Sequence, residues 1–253
     1  MKKKKHPKTA ILDGDIIAYK AACLTDIEGS DGLLKRLRYA VKKWIPSGIK
    51  DIIVAFSCNR KDNYRQDFWV KYKAKRDGAA APDSLQECKD CIYDNWECVD
   101  VPRLEADDLL GIHTSSGDMV GVTIDKDLLT IPGFHWNPDK DKEIRHRTEE
   151  EADRSFYFQW MIGDSTDGVP GLWRVGPKKA NRFLDDCHPK EWDDMILEMY
   201  NTPKYRNNTD LEPKDLALAM ARSVRILRSG EYNFDTQEIS LWCPKVGPND
   251  DKE

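Results

Sequence analysis

Short apolar runs recur along this chain with helical periodicity between them, and that alternation narrows the fold more than any other feature. Thr9-Ala-Ile-Leu12, Asp51-Ile-Ile-Val-Ala-Phe56 and Met119-Val-Gly-Val-Thr-Ile124 are four to six residues long. Runs of that length and character suit strands covered on both faces, as in a parallel sheet. Between the first two, Leu33, Leu34, Leu37, Val41, Trp44 and Ile45 recur every three or four residues, which predicts an amphipathic helix stopping at Pro46 and Gly48. A helix from about Asp83 to Trp96, a strand Glu97–Val101 and a helix Leu104–His113 continue the alternation. Beyond Thr148 only helices are expected: one opened by Thr148 with its three glutamates, others opening at Pro177 and Pro189, and one from Pro213 carrying Leu216, Met220, Val224 and Leu227 to Gly230. An irregular strand at Ile239–Trp242 and a charged tail complete the chain. The pattern predicts an α/β fold: a central, mostly parallel sheet flanked by helices, with a helical C-terminal part. We read residues 1–253 as one domain, with an α/β core at 1–147, a helical part at 148–230 and a tail at 231–253.

Acidic residues gather where those elements begin or end. Asp13 and Asp15 close the first strand; Glu105, Asp107 and Asp108 open a helix; Asp125 and Asp127 follow a strand; Asp164 and Asp167 lie in a turn. Open α/β sheets collect their working groups at strand ends. Any one of these clusters is ordinary as a helix cap or a solvated turn, and Asp15 fits a cap best. Four in series point instead to a shared cleft, whose mutual repulsion calls for cations. Asp125 and Asp127 share a face if the strand persists that far, and Asp164 and Asp167 if their turn is helical. Oxygen donors in that number suit hard ions such as Mg²⁺ or Mn²⁺. Two such ions about 3.5–4 Å apart acidify a water and stabilise a departing oxygen, the pattern of phosphodiester hydrolysis. No Gly-x-x-x-x-Gly-Lys loop is present, which disfavours nucleotide hydrolysis.

A net charge of −5 argues at first against a nucleic-acid partner. Setting aside the nine carboxylates just named turns −5 into +4 for the rest of the chain, and local sign matters more than the total. Arg60 to Arg76 holds Arg60, Lys61, Arg65, Lys71, Lys73, Lys75 and Arg76, interleaved with Tyr64, Phe68, Trp69 and Tyr72. Cations holding phosphates and rings stacking on bases would bind a single strand; an amphipathic helix with ordinary apolar anchors is the alternative. Gly163 to Ala180 is a Gly- and Pro-rich connection ending in Gly176-Pro-Lys178-Lys179, a helix start suited to phosphate. Seven cysteines suggest no disulfide framework, and Cys88-x-x-Cys91 lacks the partner pair of a zinc site. The basic start Met1–Lys5 is not followed by a signal-like apolar stretch, and no run reaches membrane-spanning length, so an intracellular, cytoplasmic protein is expected.

Taken together, Ile11-Leu-Asp-Gly-Asp15, Tyr72-Lys-Ala-Lys-Arg76, Leu104-Glu-Ala-Asp-Asp108, Ile124-Asp-Lys-Asp127, Ile162-Gly-Asp-Ser-Thr-Asp-Gly168 and Ala221–Leu227 with Glu231–Phe234 and Leu241-Trp242 resemble the 5′ nuclease (flap endonuclease) family over nearly the whole chain. The likeness is greatest to the 5′→3′ exonucleases of T-odd bacteriophages. It implies a PIN-like 5′ nuclease fold with a helix–turn–helix hairpin (163–180) on duplex DNA, and a basic arch segment within 59–96. It implies Asp13, Glu105, Asp107 and Asp108 as ligands of a first metal ion, and Asp125, Asp127, Asp164 and Asp167 as ligands of a second. Lys73 and Arg76 would act on the scissile phosphate. Tyr72 would stack on a terminal base, with Arg65, Lys71 and Lys75 nearby on DNA. Gly168, Gly171, Gly176, Lys178 and Lys179 would hold duplex backbone, with K⁺ on the hairpin carbonyls. Where the family places an aspartate after its second strand this chain has Ser57-Cys58. The implied activity is hydrolysis of DNA from 5′ ends or at 5′ flaps by a monomer, in phage replication and host-DNA degradation, with RNA–DNA hybrids as a second substrate. The rivals are a PIN-like ribonuclease and a catalytically weak DNA-binding relative.

Overall fold

A computed structural model describes residues 5–76, 78, 80–202 and 211–245. Met1–Lys4 and the last eight residues of the expected tail lie outside that range. The first strand, β1 (Thr9–Asp13), leads directly into α1 (Gly14–Glu28), then α2 (Leu33–Trp44) and β2 (Asp51–Phe56). Three single 3₁₀ turns carry the basic segment at Arg60–Asp62, Tyr64–Asp67 and Ala74–Arg76. Then come α3 (Leu85–Asn95), β3 (Cys98–Asp100), α4 (Ala106–Ser116), β4 (Met119–Val122), β5 (Gly133–Trp136) and β6 (Arg145–Arg147).

These strands form one sheet in the order β3-β2-β1-β4-β5-β6, parallel except for β6. The chain builds outward from β1 to β3, returns to lay β4 on the other side of β1, and builds outward again. Its strand order therefore reverses at β1/β4, and the crevice beyond the carboxyl ends of those two strands is where such sheets work. Ala10, Ile11 and Leu12 are wholly buried, as a strand covered on both faces requires. One face packs on α1, α2 and α3, the other on α4 and the segment around Ile226 and Leu227.

The sequence pattern missed α1, β5 and β6. Alanines dominate the buried side of α1 (Ala18, Ala21, Ala22), giving little apolar contrast. The β6 strand reads Arg-His-Arg, a charged edge strand of the kind that discourages further pairing.

The helical part comprises α5 (Glu149–Ile162), a short hairpin of β7 (Gly163–Asp164) and β8 (Val169–Pro170), then α6 (Pro177–Asp186), α7 (Trp192–Tyr200) and α8 (Pro213–Val224). Thr148 caps α5 through a reciprocal exchange with Glu151. Its core is aromatic, with Phe156, Tyr157, Trp160, Trp192 and Tyr200 buried together. Trp69 and Tyr72 belong to that same core, and Tyr64 is buried under α4. The rings of the basic segment are thus packing residues, not a stacking surface. The α8 helix ends at Val224 rather than Gly230, because the backbone beyond it is turned to other partners described below. In place of a strand at 239–242, Glu238–Ile239 (β10) pairs with Tyr232–Asn233 (β9). No described helix is long and apolar enough to cross a membrane.

Candidate active site

At the reversal point of the sheet lies an open cleft of about 590 Å³. Seven aspartates line it: Asp13, Asp15, Asp107, Asp125, Asp127, Asp164 and Asp167. They come from the end of β1, the first turns of α1 and α4, the loop after β4 and the β7–β8 hairpin. Lys73, Arg76 and Lys126 are the cations of the wall. Glu105 lines a small adjoining pocket together with Asp107, Asp127, Asp164 and Asp167.

Backbone geometry aims each carboxylate. Asp13 is the N-cap of α1, accepting the Ile16 N–H at 3.1 Å on one oxygen and the Thr123 hydroxyl at 2.8 Å on the other. The cap expected of Asp15 therefore belongs to Asp13. Asp15 instead accepts the Ser57 N–H and faces Lys89 of α3. The β4 strand stops at Val122, so Asp125 and Asp127 meet through a turn in which Asp125 accepts the Asp127 N–H. Asp164 and Asp167 likewise meet in a hairpin turn and not a helix, Asp164 accepting the N–H groups of Thr166 and Asp167.

Crowding leaves an electrostatic mark. Burial pushes the Asp13 carboxyl up to about 7, with repulsion from Asp15 and Asp125 adding to it. Asp107 is driven well above the usual carboxylate range by burial and then by Asp13 and Asp125. Asp127 rises to about 6 through burial, Asp125 and Asp164. Burial also raises Asp167, with Lys73 and Arg76 pulling the other way. Burial alone would raise Glu105, but Lys73 and Arg65 outweigh it and hold that carboxyl low.

Among the described residues, no group of three or more His, Cys, Asp or Glu side chains is gathered tightly enough to hold an ion as it stands. Several carboxylates are turned to protein cations instead. Glu105 receives Lys73 and the Tyr72 hydroxyl, and Asp167 receives Arg76 at 2.7 Å with Lys73 at 3.8 Å. The donor chemistry nonetheless fits hard divalent ions: every acidic donor in the cleft is a carboxylate, histidine and thiol are absent from its lining, and the raised acids are those that added positive charge would ionise.

Three assignments from the sequence need correction. Asp108 is fully buried and faces away from the cleft, gripping Arg65 through two parallel bonds of 2.8 and 2.7 Å. It also accepts the N–H groups of Glu105 and Leu227, which leaves it no path to a cleft ion. Arg65, expected on DNA, is buried in that grip and donates further to the carbonyls of Ser223 and Arg225. Tyr72, expected under a base, is 3% exposed with its hydroxyl 2.7 Å from Glu105. The motif Ala221–Leu227 is explained by the same knot, since its backbone serves Arg65 and Asp108.

Lys71, Lys75 and Arg76 are exposed, and Lys73 is buried at the cleft wall. Lys73 has φ +53°, and its N–H donates to the Asp167 carbonyl at 2.7 Å. Trp69 donates to the Gly168 carbonyl and Lys75 to that of Ser165. These bonds stitch the basic segment onto the hairpin. Gly168 is needed there, because its φ is +71° and a Cβ would lie 2.5 Å from the Lys71 carbonyl oxygen. A Cβ on Gly171 would sit 2.2 Å from the Ile162 carbonyl carbon. Gly176, by contrast, caps α6 with open space around it, at the cleft rim beside Pro177. Lys178 and Lys179 follow, both exposed. Ser57, Lys89 and Gln159, whose side chain bonds Asp127, were not singled out as site residues from sequence. Only Ser57 carried a signal, by standing near the family's missing aspartate.

Comparison with known proteins agrees with this architecture. No family model matches the chain. It is 26% identical to an exonuclease of Escherichia phage T7 over 285 aligned residues, covering 92% of this chain and 93% of that one. With an exodeoxyribonuclease of Enterobacteria phage T3 the identity is 24%, covering 93% and 92%. Against a DNA polymerase I of Rhizobium leguminosarum it is 28%, over 78% of this chain and 21% of the polymerase. Among solved structures, the phage T5 5′-exonuclease with bound zinc superposes with a TM-score of 0.61 at 13% identity, covering 85% of this chain and 89% of that one. The T5 flap endonuclease complexed with DNA and metal ions gives 0.57 at 13%, covering 85% and 88%. At that identity the structural likeness speaks for the fold.

Proposed function

Taking the chain as a 5′ nuclease with phage relatives, we propose that it hydrolyses DNA phosphodiesters from 5′ ends and at 5′ flaps, with two divalent ions in the aspartate cleft. The observation that carries this reading is the convergence of seven aspartates from four stretches of sequence upon one cleft with Lys73 and Arg76 on its wall. Asp13 and Asp107, with Glu105 beside them, would hold one ion, and Asp125, Asp127, Asp164 and Asp167 the other. Mg²⁺ and Mn²⁺ match the all-oxygen donor set. Bound there, such ions supply an acidified water and charge relief for the departing 3′-oxygen.

The chain's own groups then have definable tasks. Lys73 and Arg76 neutralise the scissile phosphate as charge builds on it. Lys73 pairs with Glu105 and Arg76 with Asp167, so an ion held by those carboxylates would compete with both cations and leave them to the phosphate. Lys71 and Lys75 line a neighbouring pocket beside Ser165 and Gly168, where they would hold phosphates of DNA leading to the cleft. Lys178 and Lys179 at the start of α6 hold duplex backbone, as a helix N-terminus with adjacent cations does. The hairpin carbonyls are the seat we assign to K⁺. RNA–DNA hybrids are a second substrate, the whole chain is one functional domain, and a monomer suffices. Removal of RNA primers and degradation of host DNA in the cytoplasm of an infected cell are the roles that fit.

A 5′-labelled flap duplex, a blunt duplex, an RNA–DNA hybrid and an unstructured RNA, each incubated with Mg²⁺, Mn²⁺ or EDTA, test the reading. Cleavage of both DNA substrates that EDTA abolishes is expected. Faster cutting of the free RNA would favour a PIN-like ribonuclease. Intact DNA with either metal would favour a DNA-binding protein without activity.

A further inference from the structure

Asp15 stands outside the carboxylates assigned to the two ions, yet it lines the same cleft. We propose that it is a positioning residue for the first ion, holding a water of that ion's outer shell and not the ion itself. The proposal rests on the metal-dependent reading above. In the first turn of α1, both of its oxygens are already oriented: Oδ2 accepts the Ser57 N–H at 2.9 Å, and Oδ1 faces Lys89 Nζ at 2.7 Å. Ser57 in turn accepts the Ala106 N–H on its hydroxyl at 3.0 Å. Ala106 opens α4 between Glu105 and Asp107. A hydrogen-bonded line therefore runs from Asp15 through the residue after β2 to the helix start that presents Asp107.

Lys89 arrives from the opposite side, on α3, with its ammonium 5.2 Å from the Phe56 ring centroid. Neither partner is sealed: the Asp15 and Lys89 side chains remain 30% and 25% exposed. The partners of Asp13 are neutral, whereas Asp15 has the Lys89 ammonium 2.7 Å from Oδ1, so a divalent ion coordinated directly to Asp15 would lie close to a like charge. Mg²⁺ releases its waters reluctantly and usually keeps several, so a carboxylate one water away still orients it. Loss of such an outer partner lowers metal affinity about 10–100-fold.

The Lys89 pair makes this separable from a mere scaffold. Lys89 is the protein's own cation at Asp15 and opposes a divalent ion arriving beside it. Removing the Asp15 charge should weaken ion binding, whereas removing the Lys89 charge should leave it unchanged or tighten it. Were the pair only a strut between α1 and α3, the two substitutions would act alike.

The test is Mn²⁺ binding without DNA, followed by electron paramagnetic titration, for the wild type, Asp15→Asn and Lys89→Met. The Mg²⁺-induced shift in melting temperature is a second readout. Asp15→Asn is expected to bind Mn²⁺ about 10–100-fold more weakly, and Lys89→Met as tightly as wild type or better. Asp15→Asn keeps the shape and can still accept the Ser57 N–H. Asp15→Glu, which retains the charge, serves as a second variant expected to stay within a few-fold of wild type. Unchanged affinity in Asp15→Asn, or equal weakening in Asp15→Asn and Lys89→Met, overturns the proposal. A wild type that binds no Mn²⁺ would instead overturn the metal-dependent reading itself.

Discussion

Asp107 and Asp108 are consecutive residues in the first turn of α4, and their side chains have opposite fates. Asp107 looks into the cleft, where burial and its acidic neighbours drive its pKa well up. Asp108 looks into the protein, where Arg65 meets it with two parallel bonds. The cleft holds seven aspartates against three cations, Lys73, Arg76 and Lys126, and so carries an excess of negative charge at the molecular surface. The Arg65–Asp108 knot is a compensated pair with no exposure, tied by Ser223, Arg225 and Leu227 to the chain end of α8. A helix start supports both, because its free N–H groups tolerate negative charge on either side. Acids that outnumber the cations around them suit ions from solution, and an acid given a buried guanidinium of its own holds the fold.

The largest expected effect lies on the cleft side. Asp125→Ala or Asp164→Ala should lower DNA cleavage at least about a thousandfold, equivalent to about 4 kcal/mol of transition-state stabilisation. DNA binding in Ca²⁺ and the melting temperature should be nearly unchanged. Retained activity in either variant would remove that residue from the ion sites. The knot should respond the other way. Arg65→Met leaves Asp108 buried and unpaired, which costs about 3–5 kcal/mol of stability, read as a fall in the urea midpoint. Should Asp108→Asn abolish cleavage while leaving stability untouched, the division between the two aspartates would fail.

How far each region could be read in advance follows from the same physics. Acids at element ends were legible because position along the chain marks them, and a strand-end acid in a parallel sheet has few places to point. The α/β core was legible from β1, β2 and β4, whose runs are apolar throughout. Direction was not legible: nothing in Glu105–Asp108 tells which acid faces a basic partner 43 positions earlier. Nor does composition separate an arginine on the surface from one in the core, and Arg65 sits in a segment otherwise rich in exposed lysines. Tyr72 and Trp69 failed for a related reason, since an aromatic ring among cations serves equally as a stacking face or as an anchor. The β5 and β6 strands were invisible because their residues carry no two-residue alternation.

A third expectation sharpens the contrast through pH. Asp13, with a folded pKa of about 7, and Asp127, about 6, bind protons more tightly folded than unfolded, where an aspartate titrates near 4. A raised acid contributes stability that is lost as pH climbs from about 4 through its folded pKa. The metal-free protein should therefore lose stability over about pH 4–7, and divalent ions should restore it by neutralising the ionised cleft. The Mg²⁺-induced rise in melting temperature should exceed that at pH 5 by about 5 °C at pH 8. A rise that does not grow with pH would mean that the ions are not answering the cleft acids.

The smallest effect belongs to the seam between the regions. Tyr72 lies against Arg65 on one side and donates its hydroxyl to Glu105 at the cleft on the other. Tyr72→Phe keeps the ring and its packing but removes that donor, leaving Glu105 to Lys73 and the more distant Arg65. Loss of one hydrogen bond to a charged group should cost about 1.5 kcal/mol, visible in the urea midpoint, with cleavage reduced only a few-fold. A stacking platform would predict the reverse for the pair Tyr72→Phe and Tyr72→Leu: full activity in the first, weakened binding of 5′-overhang DNA in the second, and no stability change in either. Because the ring is buried, the leucine variant should instead be the less stable of the two, with its DNA affinity following the fraction folded.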